Sequence, residues 1–500
     1  MKSSLTIAYL VAISMVAVSP ADENWNQFRG PSGDGISSAN ELPIEFDESK
    51  NVRWKTLIPD SGWSSPVVWE NEVWLTTGND EKNTLSAVCV DLQSGEITKN
   101  IKVFEMIERK IDSAYGNDSP HLNSPATPTP VVEQDHVFVS FGSQGIACLD
   151  RKTGSKQWER RDLKIYQPVR QGSSPIVDDK NLYVAYDGND QQFFIALDKL
   201  TGETRWNVNR NVTTEFDAKF SGGPKPGDNN KSFATAQLIE VNGHRQLIAP
   251  AGEATISYDP NTGEELWRVL YPGGFNVAAR PIYKNELVYV FTSGVTHAMF
   301  AIKPDGRGDV TKTHIAWSSN KFSPDIPSPV IVGDLVFMVT AKGGIARCLD
   351  ARTGEEHWKT RLGGDHWASP VLIEDNLYFS SKQGQVVVLP ASKKLPEIAA
   401  RNTLNASFIA SPAITHSSLI LRSTTHLYNI ASGHQRTQEQ VAADVYPAPR
   451  ENQRRSKKGS AKIAGSKNLD ALAIRLKELV KSGKLTREEA VQLYQSAAGK

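Results

Sequence analysis

Apolar residues in this chain come in short, β-branched runs, each set off by Pro, Gly, Asn or Asp. Runs such as Val330-Ile331-Val332 and Leu335-Val336-Phe337 carry no helical period and are too short for ordinary helices. They fit strands buried on both faces. The runs also recur in one order: a Ser-Pro with a strand, a turn, a second strand, a third ending in Leu-Asp, then Thr-Gly and a Trp. Ser328-Pro329 leads to Cys348-Leu349-Asp350-Ala351-Arg352-Thr353-Gly354 and Trp358. Ser174-Pro175-Ile176-Val177 leads to Leu197-Asp198-Lys199-Leu200-Thr201-Gly202 and Trp206. Ser124-Pro125, with Pro130-Val131-Val132, leads to Leu149-Asp150-Arg151-Lys152-Thr153-Gly154 and Trp158. Tyr258-Asp259-Pro260-Asn261-Thr262-Gly263 with Trp267 repeats the second half.

Each piece has a local physical reason. An Asp closing the third strand can accept hydrogen bonds from the turn backbone. Gly four positions later takes the positive φ that the reversal into the fourth strand needs. The Trp beyond it supplies a large apolar plate between neighbouring sheets. Such a unit is a four-stranded antiparallel sheet that cannot bury both faces alone, and a closed ring of units can. The expected fold is all-β, an eight-bladed β-propeller. First strands begin near Pro66, Pro125, Pro175, Thr235, Pro281, Pro329, Pro370 and Pro412, and the longer gaps mark insertions at Phe104–Leu122 and Asn211–Lys231. The last copy, Ser411–Ile430, has three strands, whereas Asn51-Val52-Arg53-Trp54-Lys55 resembles a fourth strand with no blade before it. The N-terminal strand is therefore expected to close the ring, and the propeller to span residues 22–430.

Composition alters this picture mainly at the ends. Lys plus Arg and Asp plus Glu both total 56, so the formal net charge is zero and no nucleic-acid partner is expected. Residues 431–500 hold 14 Lys/Arg against 7 Asp/Glu, while residues 22–430 hold 41 against 49. Residues 431–468 read as a flexible basic linker, because Pro447–Lys467 carries seven Lys/Arg and no aromatic. Residues 469–500 read as a helical hairpin. Leu472, Leu476 and Leu479 share one face, Gly483 ends the first helix, and Thr486-Arg487-Glu488-Glu489 caps the second. The hairpin resembles the C-terminal helical pairs of the SHOCT type and reads either as an element that docks a partner or as a solubility tail. At the other end, Lys2, the uncharged stretch Leu5–Val18 and the small residues of Ser19-Pro20-Ala21 form a signal peptide, residues 1–21, cut before Asp22. An uncleaved anchor is the alternative. The stretch falls short of the roughly 20 residues of a spanning helix, so the mature chain is expected to be periplasmic or secreted and not membrane-spanning. Cys89, Cys148 and Cys348 each stand two residues before an Asp, as Ala196 does before Asp198. They read as one small buried slot repeated, not as a disulfide.

The series Ala/Cys-x-Asp-x-x-Thr-Gly-x-x-x-Trp, repeated in full or in part over Ser65–Ile430, resembles the pyrroloquinoline-quinone-type (PQQ-type) repeat. That resemblance implies a propeller and two different functions. Quinoprotein dehydrogenases hold PQQ in the central funnel, and their alcohol-oxidising members add a disulfide of adjacent cysteines, a calcium ion and an Asp base. BamB-like lipoproteins of the outer-membrane β-barrel assembly machine are non-catalytic. A third set, exported PQQ-like repeat proteins without an assigned role, is the one that the whole chain most resembles. This chain has no Cys-Cys pair. Asp187-Gly188-Asn189-Asp190 lacks the following Glu of a calcium loop and reads as a hairpin turn, and Asp305-Gly306-Arg307-Gly308-Asp309 reads as turn chemistry. The expected cofactor is none, PQQ and calcium being open to the fold but unsupported by these residues. No metal site and no catalytic residue is expected.

Innermost propeller strands start beside the central channel, so residues just before each Ser-Pro should face a common funnel. Those slots hold His121 and Asn123, Arg170, Lys231 and Arg280, then Asp325 and the pair His366-Trp367. Cations and imidazoles converging on one opening suit a polar or anionic small ligand. Pairing among themselves and with water is the alternative. The function expected from these readings is that of a non-catalytic platform in the cell envelope that binds envelope proteins or such a ligand. The alternative is a PQQ-dependent dehydrogenase of sugars or alcohols.

Overall fold

The computed structural model describes residues 24–107, 122–210, 212–214, 227–321 and 323–443. The expected signal peptide, His121, most of both insertions, the linker beyond residue 443 and the helical hairpin lie outside the described residues. Within them, eight antiparallel four-stranded sheets follow one another in chain order as the blades of a propeller. Blade one runs Val67–Trp69, Glu72–Asn79, Thr84–Asp91 and Ile97–Glu105, from inner to outer strand. Blades two to seven begin at Val131–Val132, Ile176–Val177, Gln237–Val241, Ile282–Lys284, Val330–Val332 and Val371–Ile373. Blade eight combines Ala413–Thr415, Ser418–Arg422 and His426–Gln435 with the N-terminal strand Lys50–Leu57, in which Trp54 faces Asn429. The ring is closed by that strand, as the sequence implies.

Two expected boundaries shift. Blade two starts after Thr129-Pro130, not at Pro125, because Val131 is where pairing with Phe138 begins. Ser124 instead turns upstream, its amide bonded to Thr127 Oγ1. At the other end the last strand runs to Gln435, past residue 430, because Lys50 pairs with Gln435 and Asn51 Oδ1 accepts from the Gly433 amide. A short helix, Gln438–Ala443, follows where linker was expected.

The core lies between blades. Val67, Trp74 and Cys89 of blade one pack with Val137 and Leu149 of blade two, and Phe337 and Trp358 of blade six pack with Leu372 and Phe379 of blade seven. Middle strands are therefore buried on both faces, as Val73-Trp74-Leu75-Thr76-Thr77 is throughout. Cys89, Cys148 and Cys348 are free, buried and paired across the sheet with Trp74, Phe138 and Phe337. Burial pushes the Cys89 thiol up to about 11 and the other two to about 12, so all three stay protonated packing groups.

Two small devices hold the seams. In the first, the outer-strand Trp donates its indole N–H to the carbonyl just past the strand-end position of the next blade. Trp54 bonds Leu92 O, Trp158 bonds Lys199 O, Trp206 bonds Pro260 O, Trp317 bonds Ala351 O and Trp358 bonds Ser392 O, each within 2.9–3.0 Å. The Thr-Gly glycine fits under that ring. At Gly202, φ is +75° and an added Cβ would sit 2.7 Å from the Trp158 ring, so both backbone and contact require Gly.

In the second, the hydroxyl at the start of each inner strand accepts the amide N–H of its counterpart in the blade before. Ser65 N donates to Thr129 Oγ1, Thr129 N to Ser174 Oγ and Ser174 N to Thr235 Oγ1. The belt resumes as Arg280 N to Ser328 Oγ, Ser328 N to Ser369 Oγ, Ser369 N to Ser411 Oγ and Ser411 N back to Ser65 Oγ. Only the step from Thr235 is missing among the described residues, and there the slot holds Arg280 instead of a hydroxyl.

Candidate functional site

The hub of the ring is filled by the chain's own N-terminal segment, residues 24–37. Trp25 bridges to Val68 of blade one, and Asn26 O accepts from Val132 of blade two. Ser32 O accepts from Gln237 of blade four, and Phe28 O from the Arg280 guanidinium of blade five at 2.5 Å. Arg29 donates to Ser328 O and Pro329 O of blade six and to Pro370 O of blade seven. Ile36–Ser37 then adds a parallel strand to Val371–Ile373. Trp25 and Arg29 are 2% and 1% exposed. Arg29 and Arg280 lie fully buried, and desolvation pulls both guanidinium pKa values down, to about 10 and about 9. Their charges are held by backbone carbonyls, and Gly33 and Gly35 let the chain lie against the two guanidinium groups.

One face of the hub opens as a cavity of about 580 Å³, with Phe28 of that segment in its lining. Its wall has a register. Two residues ahead of each belt position, every blade contributes a lining residue: Trp63, Thr127, Gly172 and Phe233 from blades one to four, then Ala278, Ile326, Trp367 and Ile409. Trp63 and Trp367 meet at an interplanar angle of 81° with centroids 5.8 Å apart, and the Lys382 ammonium lies 4.0 Å over the Trp367 ring. Polar groups cluster on the side of blades four to six. Lys231 ion-pairs with Asp228, and burial, the larger effect, lowers its pKa against the pull of that carboxylate. His297 Nδ1 lies 2.7 Å from Asp325 Oδ1. Asn276 and Asp325 hold φ of +54° and +67°, a left-handed backbone that Asn and Asp tolerate better than other side chains. A two-stranded ribbon, Gly274–Phe275 with Ser293–Gly294, carries this wall.

The residues expected at the funnel divide accordingly. Asn123, Lys231, Asp325 and Trp367 line the cavity. Three others do not. Arg170 turns its guanidinium to Asp80 at 2.7 Å. Arg280 sits at the belt itself, held beneath the hub segment by Phe28 O. His366 is fully buried at the seam of blades six and seven, its Nδ1 3.0 Å from Ser380 O and its Nε2 2.9 Å from Gly363 O. Trp63, Phe233, Asn276 and His297 were not foreseen. Trp63 was legible, since Trp63-Ser64-Ser65-Pro66 has the spacing of Trp367-Ala368-Ser369-Pro370. His297 and Asn276 come from a ribbon outside the repeat, which carries no such signal.

Among the described residues the lining contains two carboxylates, Asp228 and Asp325, and each is engaged by a cation or an imidazole. Among the described residues no group of three His, Cys, Asp or Glu could hold a metal ion. This donor set does not fit a calcium-bound quinone, because calcium takes six to eight oxygens. The hairpin at Asp187 is a turn, with Gly188 N bonded to Gln191 O, and Gly308–Asp309 forms a short exposed strand parallel to the outer strand of blade four. No helix among the described residues is long and apolar enough to cross a membrane.

A family model described as "Outer membrane protein assembly factor BamB" matches residues 88–209 and 190–441. No curated protein sequence matches the chain. Among solved structures, BamB from Moraxella catarrhalis aligns at 11% identity and TM-score 0.51, over 76% of this chain and 99% of that one. A europium-containing methanol dehydrogenase aligns at 11% identity and TM-score 0.58, over 81% and 90%. Quinohemoprotein alcohol dehydrogenase ADHIIG from Pseudomonas putida HK5 aligns at 10% identity and TM-score 0.58, over 91% and 85%. At such identities these likenesses establish the shared propeller and no shared chemistry.

Proposed function

Because the chain belongs to the family described as outer membrane protein assembly factor BamB, we propose that it is an exported, non-catalytic binding platform of the cell envelope, engaging its ligand or protein partner at the funnel face. The observation that carries this reading is the hub. The segment 24–37 fills the centre of the ring and leaves a cup on one face, walled by the same register position of all eight blades. A cup of aromatic and amide groups, with its carboxylates already engaged, can hold a ligand, whereas among the described residues it brings together no metal cage and no cysteine pair of the kind that quinone chemistry would use. The leader-like pattern of residues 1–21 and the PQQ-type repeat support export, and the basic C-terminal segment would favour anionic envelope polymers.

The test has two arms. PQQ with Ca²⁺ is expected neither to raise the melting temperature nor to confer dye-linked oxidation of alcohols or sugars. Ligand at a hundredfold excess over Kd stabilises by about 2.7 kcal/mol, well within reach of a melting assay. A shift with oxidation, both lost in Trp367→Ala, would promote the dehydrogenase. In the second arm a photoreactive residue replaces Leu122 at the cup, 51% exposed, or Leu395 beyond the third strand of blade seven, 52% exposed. Discrete adducts in the native envelope are expected from position 122 alone. Adducts from neither position, or equally from both, contradict a platform that works through this face.

A further inference from the structure

Resting on the platform reading, we propose that the cup is a binding site for an acidic saccharide, its ring on the tryptophan corner and its carboxylate at Lys342 and Lys382. A T-shaped pair of indoles offers one ring's face and the other's edge. Neither indole N–H, of Trp63 or of Trp367, has a hydrogen-bond partner among the described residues, and both residues are half-buried in the wall. An apolar plate bounded by donors matches a sugar, whose ring presents C–H bonds on its faces and hydroxyls at its edge. A peptide backbone would instead call for an exposed strand edge, and the inner strands here are paired and flanked by the hub segment.

The polar groups sharpen the class. Among the described residues the Asn276 side-chain amide has no hydrogen-bond partner, and His297 keeps Nε2 open while Asp325 holds its Nδ1. The two indole N–H groups and the Asn276 amide nitrogen can donate, while the Asn276 amide oxygen and Asn123 Oδ1, whose own amide nitrogen is bonded to Val169 O, can accept, so the wall meets both roles of a sugar hydroxyl. Charge points the same way. Asp228 and Asp325 are engaged and Asp365 Oδ1 accepts from the Gly343 amide, whereas among the described residues Lys342 in the lining has no ion-pair partner and the Lys382 ammonium rests on Trp367. The cup therefore offers surplus cation beside an aromatic corner, which a neutral sugar would leave uncompensated. Its volume of about 580 Å³ suits a short oligomer and falls within the roughly 300–1,000 Å³ of small-molecule sites.

Titrating the full mature chain with trigalacturonic acid, and following intrinsic tryptophan fluorescence and calorimetric heat, tests this directly. Saturable binding is expected, at least tenfold weaker for the neutral trigalactose and weakened further as salt rises. Lys342→Glu, at an exposed position that folding does not need, should weaken the acidic sugar at least tenfold with an unchanged melting temperature. Trp63→Phe should weaken both sugars. Equal affinity for the neutral and acidic sugars, or no effect of Lys342→Glu, overturns the acidic assignment. No saturable binding of either sugar overturns the saccharide proposal altogether. A short polyglutamate peptide, or PQQ without calcium, then separates the failures. Binding of either one that depends on Trp63 removes the saccharide and keeps the platform, whereas no binding, with no adducts from position 122, removes both.

Discussion

The seam between blades six and seven and the seam between blades four and five solve one packing problem by different means. At the first, both repeated devices are present: Trp358 donates to Ser392 O, and Ser328 N donates to Ser369 Oγ. At the second, Thr235 finds no hydroxyl ahead of it, and Trp267 turns its indole to Gln246 in its own blade, 2.9 Å away. Gln246 relays the bond by donating to Pro304 O of blade five, and the parallel strand Gly308–Asp309 adds a second tie. The slot that lost its hydroxyl carries Arg280, which grips the hub segment. A seam with both devices is thus held by short contacts that the repeat supplies, and the seam of blades four and five, which lacks both, by inserts and a long side chain. The cup draws Lys231, Asn276, His297 and Asp325 from that irregular side. A repeat under packing constraint supplies the walls, and departures from it supply the chemistry.

Removing the N-terminal segment should have the largest effect, because it acts on both kinds of seam. Deleting residues 22–57 takes away the outer strand of blade eight and the hub segment at once. The expected result is loss of a cooperative thermal transition by circular dichroism. A truncated chain that melts as sharply as the full one would mean the blades close without it.

At the regular seam, Trp358→Ala should destabilise by about 3–5 kcal/mol, the range for losing a buried Trp. Trp358→Phe keeps the plate and removes only the N–H, at about 1 kcal/mol. Denaturant unfolding of the pair separates plate from bond; equal losses would mean the indole bond, not the ring, holds the seam. At the irregular seam the relay itself is the weak point. Gln246→Met strands the Trp267 N–H, the Ser257 hydroxyl and Pro304 O together. Buried groups left unsatisfied cost about 1–3 kcal/mol each, less where they find one another. A loss of about 2 kcal/mol is expected, and a neutral substitution would show that water already serves these groups.

How much of this was legible follows the same division. The Thr-Gly glycines, the strand-end aspartates and the outer tryptophans announce their roles because one local geometry demands the same residue each time. Asp350 Oδ1, for instance, accepts from the Arg352 and Thr353 amides. The closing strand was legible from Trp54 for the same reason. The hub segment was not. It makes no repeat and has no periodic pattern, and its contacts fall on strands hundreds of residues away, as with Arg29 and Pro370. Reading the funnel from charged residues near Ser-Pro found Asn123, Lys231, Asp325 and Trp367 but also took in Arg280, His366 and Arg170. The true register, two residues before the belt, is mostly apolar, so charge was the wrong guide to it.

The smallest expected effect lies in acid, at the regular seam. His366 is buried between Gly363 O of blade six and Ser380 O of blade seven. Burial pulls its imidazole below the ordinary value of 6.5, and the two carbonyls and the Asp365 charge pull back without prevailing. The folded chain therefore holds fewer protons here than the unfolded chain once pH drops below that value. Its contribution to stability is complete above 6.5 and is lost as pH falls through the lowered folded value. Melting temperature measured from pH 8 to pH 5 should fall more steeply for the native chain than for His366→Gln, which cannot titrate. Parallel slopes would mean that this imidazole does not couple to folding. A native slope shallower than that of the variant would mean that the two carbonyls favour imidazolium, each taking one N–H, and that protonation tightens the seam between blades six and seven.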